Sequence, residues 1–390
     1  MKLVVRVKLL PTPVQAAALE ATLHACNAAA SWASATGFEA KATGNRALRD
    51  SCYRTVRERW GLGAQAAQHS IKKTADAYRT LRANLKAGNY GRPGTKRYAR
   101  AAGKPVAFRK DAAQPHDDRM LSWQHEARTV SIWTTAGRLK GVAFTGQAEQ
   151  LAVLAAHRQG ESDLLHQNGT WYLLATCEIA EAAPNTHPIG FLGVDLGIVN
   201  IASTTDGTRH GGRRMNRRRE NDRKLRTKLQ KKGTKSARRR ARKHAGKEKR
   251  RVRDINHKIS KSIVAAAQRT GRGIALEDLG GIRERVRLRK PQRVTLHSWS
   301  FHQLGTFIGY KAKRSGVPVV YVNPAYTSQE CSQCHHTERK NRPSQAVFTC
   351  RVCGFVEHAD LNASHNISQR GWSTWVCGAE SQAPALTPLA

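Results

Sequence analysis

Negative charge is what this sequence lacks. Its 390 residues hold 28 Asp and Glu against 67 Lys and Arg, a formal net charge of +39. Such a chain repels itself unless a polyanion neutralises it, so nucleic acid is the expected partner. An anionic membrane surface would attract it too, but no segment reaches the roughly 18 apolar residues of a transmembrane helix. The opening MKLVVRVKLLPTP breaks its apolar run with Arg6 and Lys8, a pattern wrong for a secretory signal peptide. Half of the eight cysteines also lack any pairing logic: Cys26, Cys52, Cys177 and Cys377 are scattered. That favours a reducing cytoplasm over an oxidised exterior.

The other four are ordered. Cys331, Cys334, Cys350 and Cys353 form a C-x2-C-x15-C-x2-C array. Two thiolates two residues apart sit on one tight knuckle, and two knuckles supply the four soft ligands of a tetrahedral Zn²⁺. Zinc suits the spacing better than an iron–sulfur cluster or a redox pair. Four thiolates leave no open position for water, so the site reads as structural, with His335, His336 and His358 as surface residues.

The length allows two or three domains with real cores. Lys2–Leu10 reads as a strand. Thr12, Pro13 and Gln15 then read as the capping box of a helix whose Leu19, Leu23, Cys26 and Ala30 share one face. Further helices are predicted over Arg46–Trp60 and Ala64–Lys86. The second carries Lys72, Lys73, Arg79, Arg82 and Lys86 outside its apolar stripe, either a solvated face or a nucleic-acid contact. From Gly91 to Gln114 the chain reads as a linker. Short strands follow at Arg128–Thr134, Leu139–Phe144, Ser162–His166 and Thr170–Ile179, turning at Ala136-Gly137 and Asn168-Gly169, which suggests a small barrel with the helices inserted after its first strand.

Beyond Pro188 the pattern is α/β, with strands at Phe191–Asp195, Val199–Thr204, Gly273–Leu279 and Val317–Val322 and helices at Ile255–Ala266 and Ser298–Arg314. Between them, Arg209–Arg253 holds 23 Lys or Arg among 45 residues. Gly233-Thr234 splits this stretch into a predicted helical hairpin laid along a polyanion. Trp372–Ala390 reads as a loose tail.

Three carboxylates interrupt apolar surroundings. Asp195 ends FLGVD, Glu277 ends IALE beside Asp278, and Asp360 opens the helix-like HADLNASHNI. A buried carboxylate is costly unless a metal or cation pairs it. Strand alternation lets only one of Glu277 and Asp278 share a face with Asp195. Asp360 alone could be no more than a helix cap. Together, three converging carboxylates would hold two Mg²⁺ ions roughly 3.5–4 Å apart for phosphodiester hydrolysis.

These residues carry a resemblance. GVDLGIVN, INHKISKSIV, ALEDLG, and NPAYTSQECSQC through CRVCGFVEHADLNASHNI resemble the TnpB (OrfB-type) proteins of insertion sequences, relatives of type V CRISPR effectors. The resemblance implies a RuvC nuclease triad of Asp195, Glu277 and Asp360, and so selects Glu277 over Asp278. It implies a multidomain α/β architecture. A wedge-like β-barrel would cover residues 1–12 and 106–186, and a helical recognition domain 13–105. An RNase H-like RuvC domain would cover 187–326, a zinc ribbon 327–356, a RuvC-like helix 357–371, and a tail 372–390. It further implies a guide RNA from the element end, a double-stranded DNA target beside a short adjacent motif, Mg²⁺ catalysis and structural Zn²⁺. The rival readings are a nuclease-silent RNA-guided binder and a DNA transposase. Two departures stand out: His335 where Gly is common, and Ser364 where Ala is usual.

Overall fold

The computed structural model describes residues 1–279 and 301–378. The chain divides into two compact units between Ile179 and Ala180.

The first unit starts with β1 (Lys2–Leu10) and three helices, α1 (Pro13–Glu39), α2 (Asn45–Trp60) and α3 (Ala64–Lys86). The capping box forms: Gln15 N–H donates to Thr12 Oγ1 at 3.3 Å and Thr12 N–H to Gln15 Oε1 at 3.0 Å. Cys26, Leu48, Cys52, Val56, Ile71 and Ala75 bury one helical core. The basic residues of α3 do not form one free face. Lys73 is held inside, donating to Asn27 Oδ1 at 2.6 Å, Ala113 O at 2.9 Å and Gln114 Oε1 at 3.1 Å. Burial pulls its ammonium down to about 8. Lys72 pairs with Glu161.

The stretch read as a linker is partly ordered. Thr95 caps a short helix, α4 (Lys96–Ala102), by accepting from Tyr98 N–H. A helix of two turns is too brief to show an apolar period. Then come β2 (Gln114–His116), β3 (Leu121–Gln124), β4 (Thr129–Thr134), β5 (Gly137–Thr145), α5 (Ala148–His157), β6 (Arg158–Gln167) and β7 (Thr170–Glu178). The Asn168-Gly169 turn is left-handed at both residues, φ 54° and 74°, the type I′ geometry that this dipeptide favours. All seven strands join one antiparallel sheet in the order β2-β6-β7-β1-β5-β4-β3. The two edge strands, β2 and β3, are joined by Asp117–Met120. Five residue steps reach about 17 Å at most, whereas seven flat strands would be about 29 Å across. The sheet must therefore curl until its edges approach. Val7, Leu9, Val130, Ile132, Leu164 and Leu173 fill it.

The second unit opens earlier than residue 187. Asn185 N–H donates to Gly316 O at 2.7 Å and Lys313 pairs with Glu181 at 3.1 Å, so these residues belong to the second unit. Its elements are β8 (Phe191–Asp195), β9 (Asn200–Thr204), β10 (Arg209–Gly211), α6 (Arg213–Lys232), α7 (Lys235–Arg269), β11 (Gly273–Glu277), α8 (Phe301–Arg314), β12 (Val319–Val322), β13 (Val347–Thr349), β14 (Val356–His358) and α9 (Ala359–Val376). Residues 298–300 of the predicted helix lie outside the described residues. The sheet order is β10-β9-β8-β11-β12: the first three strands run antiparallel, and β8, β11 and β12 run parallel. Leu192, Val194, Ile259, Ile263, Ile274 and Leu304 form its core on one face.

Two expectations are corrected by the fold. The basic hairpin turns at Gly233 (φ 63°), with Thr234 capping α7. Its second arm, however, runs straight into the Ile255–Ile263 stripe as one 35-residue helix. No Gly or Pro separates the basic surface from the buried stripe, so nothing stops the helix. The tail also begins later than Trp372. Helix α9 continues to Val376, and the Trp375 ring packs 5.8 Å from Phe191. Residues 379–390 lie outside the described residues. No described helix is long and apolar enough to cross a membrane.

Candidate active site and metal centre

Parallel pairing of β8 with β11 in register, Leu276 opposite Val194, brings Asp195 and Glu277 to the same end of two neighbouring strands. Helix α9 supplies the third acid. It crosses β8 where there is no side chain: a Cβ on Gly193 would lie 2.0 Å from Ser364 O and 2.6 Å from Ser368 N. At the far end a Cβ on Gly371 would lie 2.4 Å from Ala275 Cβ. Small residues on both surfaces thus allow a close approach that sets Asp360, in the first turn of the helix, against the strand ends.

The cap reading of Asp360 does not hold. His358 is the cap, its Nδ1 accepting from Asp360 N–H at 3.2 Å. That gives His358 a role in the helix start that its sequence context did not suggest. The Asp360 carboxylate turns away from the helix. Asn200 Nδ2 donates to its Oδ2 at 2.8 Å, and Arg342 Nη2 lies 3.4 Å from its Oδ1. Glu277 Oε1 accepts from Thr327 Oγ1 at 2.6 Å. Asp195 senses both partners. Burial first, then the charges of Glu277 and Asp360, push its carboxyl up to about 8, with Arg342 opposing. Burial also raises Glu277, against the Thr327 hydroxyl.

Three carboxyl groups at one end of a sheet form a donor set suited to hard divalent cations. Among the described residues, two groups bring their ligand atoms within 4.8 Å of one another: the four cysteines, and Glu20, His24 and Asp111. The three acids are spaced more widely. Ligands divided between two ions tolerate that, because each oxygen need approach only one of them. Asn200, Thr327 and Arg342 were not singled out by sequence pattern. The first two lie inside the GIVN and YTSQ motifs, whereas nothing marks Arg342.

The four thiols form a cluster compatible with zinc. Cys331 and Cys353 Sγ are 3.6 Å apart, and Cys334 and Cys350 Sγ 3.5 Å. A Zn–S bond of about 2.3 Å gives tetrahedral edges of about 3.8 Å. Burial raises the Cys350 thiol, but the N–H groups of Cys353 and Val352 outweigh it and draw it down to about 6. Each knuckle ends in a left-handed residue, Gly354 at φ 71° and His335 at φ 61°. His335, standing where Gly is common, therefore sits in a conformation that favours glycine. Hairpin β13–β14 closes the ribbon. Asn362 and Asn366 tie it to α9: Ser332 N–H donates to Asn362 Oδ1 at 2.9 Å, and Asn366 Nδ2 donates to Thr327 O at 2.9 Å and Glu330 O at 2.7 Å.

Two family models and several known proteins match parts of the chain. A family model described as "Probable transposase" (OrfB_IS605) matches residues 175–279, and one described as "Cas12f1-like, TNB domain" matches 301–367. A protein of Sulfoacidibacillus thermotolerans named CRISPR-associated endodeoxyribonuclease Cas12f1 is 41% identical over 29% of this chain and 26% of its own length. A TnpB-like protein of Methanocaldococcus jannaschii is 40% identical over 32% of this chain and 45% of its own. InsQ of Escherichia coli K12, provisionally named an RNA-guided DNA endonuclease, is 29% identical over 54% of this chain and 56% of its own. The chain thus spans from about a quarter to about half the length of these relatives. Residues 175–279 are thus similar to the OrfB-type model and residues 301–367 to the Cas12f1-like one, and a relative named TnpB-like matches the chain, in line with the TnpB resemblance of its motifs.

Proposed function

We propose that this chain is an RNA-guided DNA endonuclease that cuts phosphodiester bonds at Asp195, Glu277 and Asp360. One observation carries the reading: the three acids meet at one end of the second sheet, and Glu277 and Asp360 both raise Asp195. The strand order, three antiparallel strands followed by two parallel ones, supports an RNase H-like RuvC domain. The edge-to-edge curl of the seven-stranded sheet supports the wedge-like barrel. The guide RNA and the DNA target come from the relatives' names. The reading places the protein in the cytoplasm, on element-derived RNA and on DNA beside a short adjacent motif.

Asp195, Glu277 and Asp360 would hold Mg²⁺. When bound, such ions activate an attacking water and stabilise the departing 3′ oxygen. Thr327 orients Glu277, Asn200 orients Asp360, and Arg342 supplies countercharge. The zinc ribbon has only a structural part. The basic stretch 209–253 carries 23 Lys or Arg against three acids, a surface on which phosphates replace bound counterions. Glu220, Asp222 and Glu248 are already paired with Lys224, Arg251 and Arg226, so they offset few of those cations.

The test uses protein purified with its RNA and a plasmid bearing the matched target beside a randomised flank. The wild type should linearise the plasmid in Mg²⁺, while Asp195→Ala binds the target and leaves it intact. Cutting by Asp195→Ala refutes the triad. Guided binding without cutting by the wild type favours the nuclease-silent reading, and absence of RNA in the purified protein favours the transposase.

A further inference from the structure

The first unit holds a second convergence of metal-ligand side chains that the proposed nuclease does not use. Glu20 and His24, one turn apart on α1, share a face, and His24 Nε2 lies 3.7 Å from Glu20 Oε1. Asp111 arrives from the loop before β2, its Oδ1 3.1 Å from His24 Nε2. His166 arrives from β6, with Nδ1 3.7 Å from that same Asp111 oxygen. Glu20, His24 and Asp111 thus bring their ligand atoms within 4.8 Å of one another, and His166 joins them from a third segment through Asp111. In a chain where bases outnumber acids 67 to 28, a surface carboxylate usually meets Lys or Arg. Asp111 meets two histidines.

The surroundings fix these positions. Asn27, fully buried on α1, donates to Lys110 O at 2.8 Å and Ala112 O at 2.9 Å, gripping the backbone on both sides of Asp111. Lys73 Nζ in turn donates to Asn27 Oδ1 and to Ala113 O. The His166 ring stacks on its cross-strand partner Trp171 with centroids 4.3 Å apart. Ligands held by a supporting layer of this kind are a mark of built metal sites. Tetrahedral N and O ligands at about 2.0–2.1 Å have edges of about 3.3–3.4 Å; the Glu20–His24 and His24–Asp111 spacings of 3.7 and 3.1 Å lie near this, and His166 reaches the group through Asp111 at 3.7 Å, farther from its other members.

We propose that Glu20, His24, Asp111 and His166 bind a divalent first-row transition metal ion, with Zn²⁺ the best match to a mixed imidazole and carboxylate set. The ion would clasp α1 and the 109–113 loop to β6. The test uses the full chain, equilibrated with buffered Zn²⁺ in millimolar Mg²⁺ and desalted, with zinc per chain measured by elemental mass spectrometry. A His24→Gln/His166→Gln variant should carry one zinc ion fewer than wild type. Equal zinc in both overturns the proposal, because the His24–Asp111 contact is then only a hydrogen bond. A second readout needs no variant. Co²⁺ added to wild type should show visible bands from an N/O site beyond those accompanying sulfur-to-cobalt charge transfer. If every Co²⁺ band follows the thiolate signal, the site is refuted.

Discussion

Gly193→Ala tests whether the closeness of α9 to β8 assembles the candidate site. The added Cβ would sit 2.0 Å from the Ser364 carbonyl oxygen, against an ordinary contact starting near 3.4 Å. Both groups are backbone or backbone-adjacent, so no flexible side chain can swing aside. The helix must retreat by about 1 Å or more, and overpacking of this kind costs about 1–3 kcal/mol. In a unit of roughly 200 residues, each kcal/mol lowers Tm by about 2–4 °C. Asp360 rides on the same helix, one turn before the start of the clash, so its carboxylate moves away from Asp195. A misplacement of about 1 Å costs on the order of 100-fold in rate. The assay is single-turnover cleavage of the matched plasmid by the RNA-bound protein, with thermal melting and target binding measured in parallel. The expected result is a large drop in cleavage, a modest drop in Tm and retained binding. Gly371→Ala, which meets Ala275 Cβ at 2.4 Å much farther from Asp360, should lower Tm similarly and cost less cleavage. Wild-type cleavage and Tm in Gly193→Ala would refute the reasoning.

Three further outcomes follow from the same geometry. Asp195 holds its proton to about pH 8 when folded, whereas an unfolded aspartate ionises near 3.9, so the folded state binds more protons between roughly pH 4 and 8 and stability falls as pH rises through that window. Melting in Mg²⁺-free buffer should show this fall in the wild type, Asp195→Asn should show a smaller fall carried by the raised Glu277, and millimolar Mg²⁺ should flatten it; equal slopes in both proteins count against the buried acid cluster. Lys73→Met leaves the Asn27 and Ala113 oxygens without their buried donor and should cost about 1–3 kcal/mol, yet leave the salt dependence of RNA binding unchanged; a reduced salt slope would return Lys73 to the nucleic-acid surface. Replacing the exposed Arg238, Arg239, Arg240 and Arg242 with Gln should lower the log–log salt slope by about 0.7–0.9 for each phosphate no longer neutralised, and an unchanged slope removes the hairpin from the interface.

What was legible in the sequence had a local cause. Thr12, Pro13 and Gln15 announced the start of α1 because a capping box is made by three neighbouring residues. Asn168-Gly169 announced its hairpin because a type I′ turn needs left-handed backbone at two adjacent positions. The cysteine spacing announced the ribbon for the same reason. The acids were legible only as interruptions of apolar runs, and their convergence depends on pairings 80 to 165 residues apart that no local period encodes. Arg342 was illegible among 66 other basic residues. Lys73 misled because a lysine between apolar positions looks like every other lysine until Asn27, the Ala113 carbonyl and the Gln114 side chain close around it. The continuity of α7 was missed because the basic surface and the Ile stripe differ in composition, while the backbone meets no breaker between them.

The ribbon's part in the proposed chemistry is best understood as setting the start of α9. Asn362 and Asn366, both buried on that helix, spend their amides on ribbon backbone: Asn362 Nδ2 donates to Glu330 O at 2.8 Å, and Asn366 donates to Thr327 O and Glu330 O. Thr327 at the ribbon's entry also holds Glu277. From within the ribbon, Arg342 reaches Asp360. The same short segment therefore touches two of the three acids, although its four thiols contribute no ligand to them. Zinc held by the four thiols, as proposed, would contribute folding energy directly, and its removal would loosen both the 327–330 turn and the loop bearing Arg342. Glu277 would then lose Thr327 and Asp360 would lose Arg342, while Asn200 on β9 would still hold Asp360. On this proposal the thiols would act on the carboxylate site through these hydrogen bonds, and the ribbon lies in the chain immediately before the helix whose first turn it adjoins.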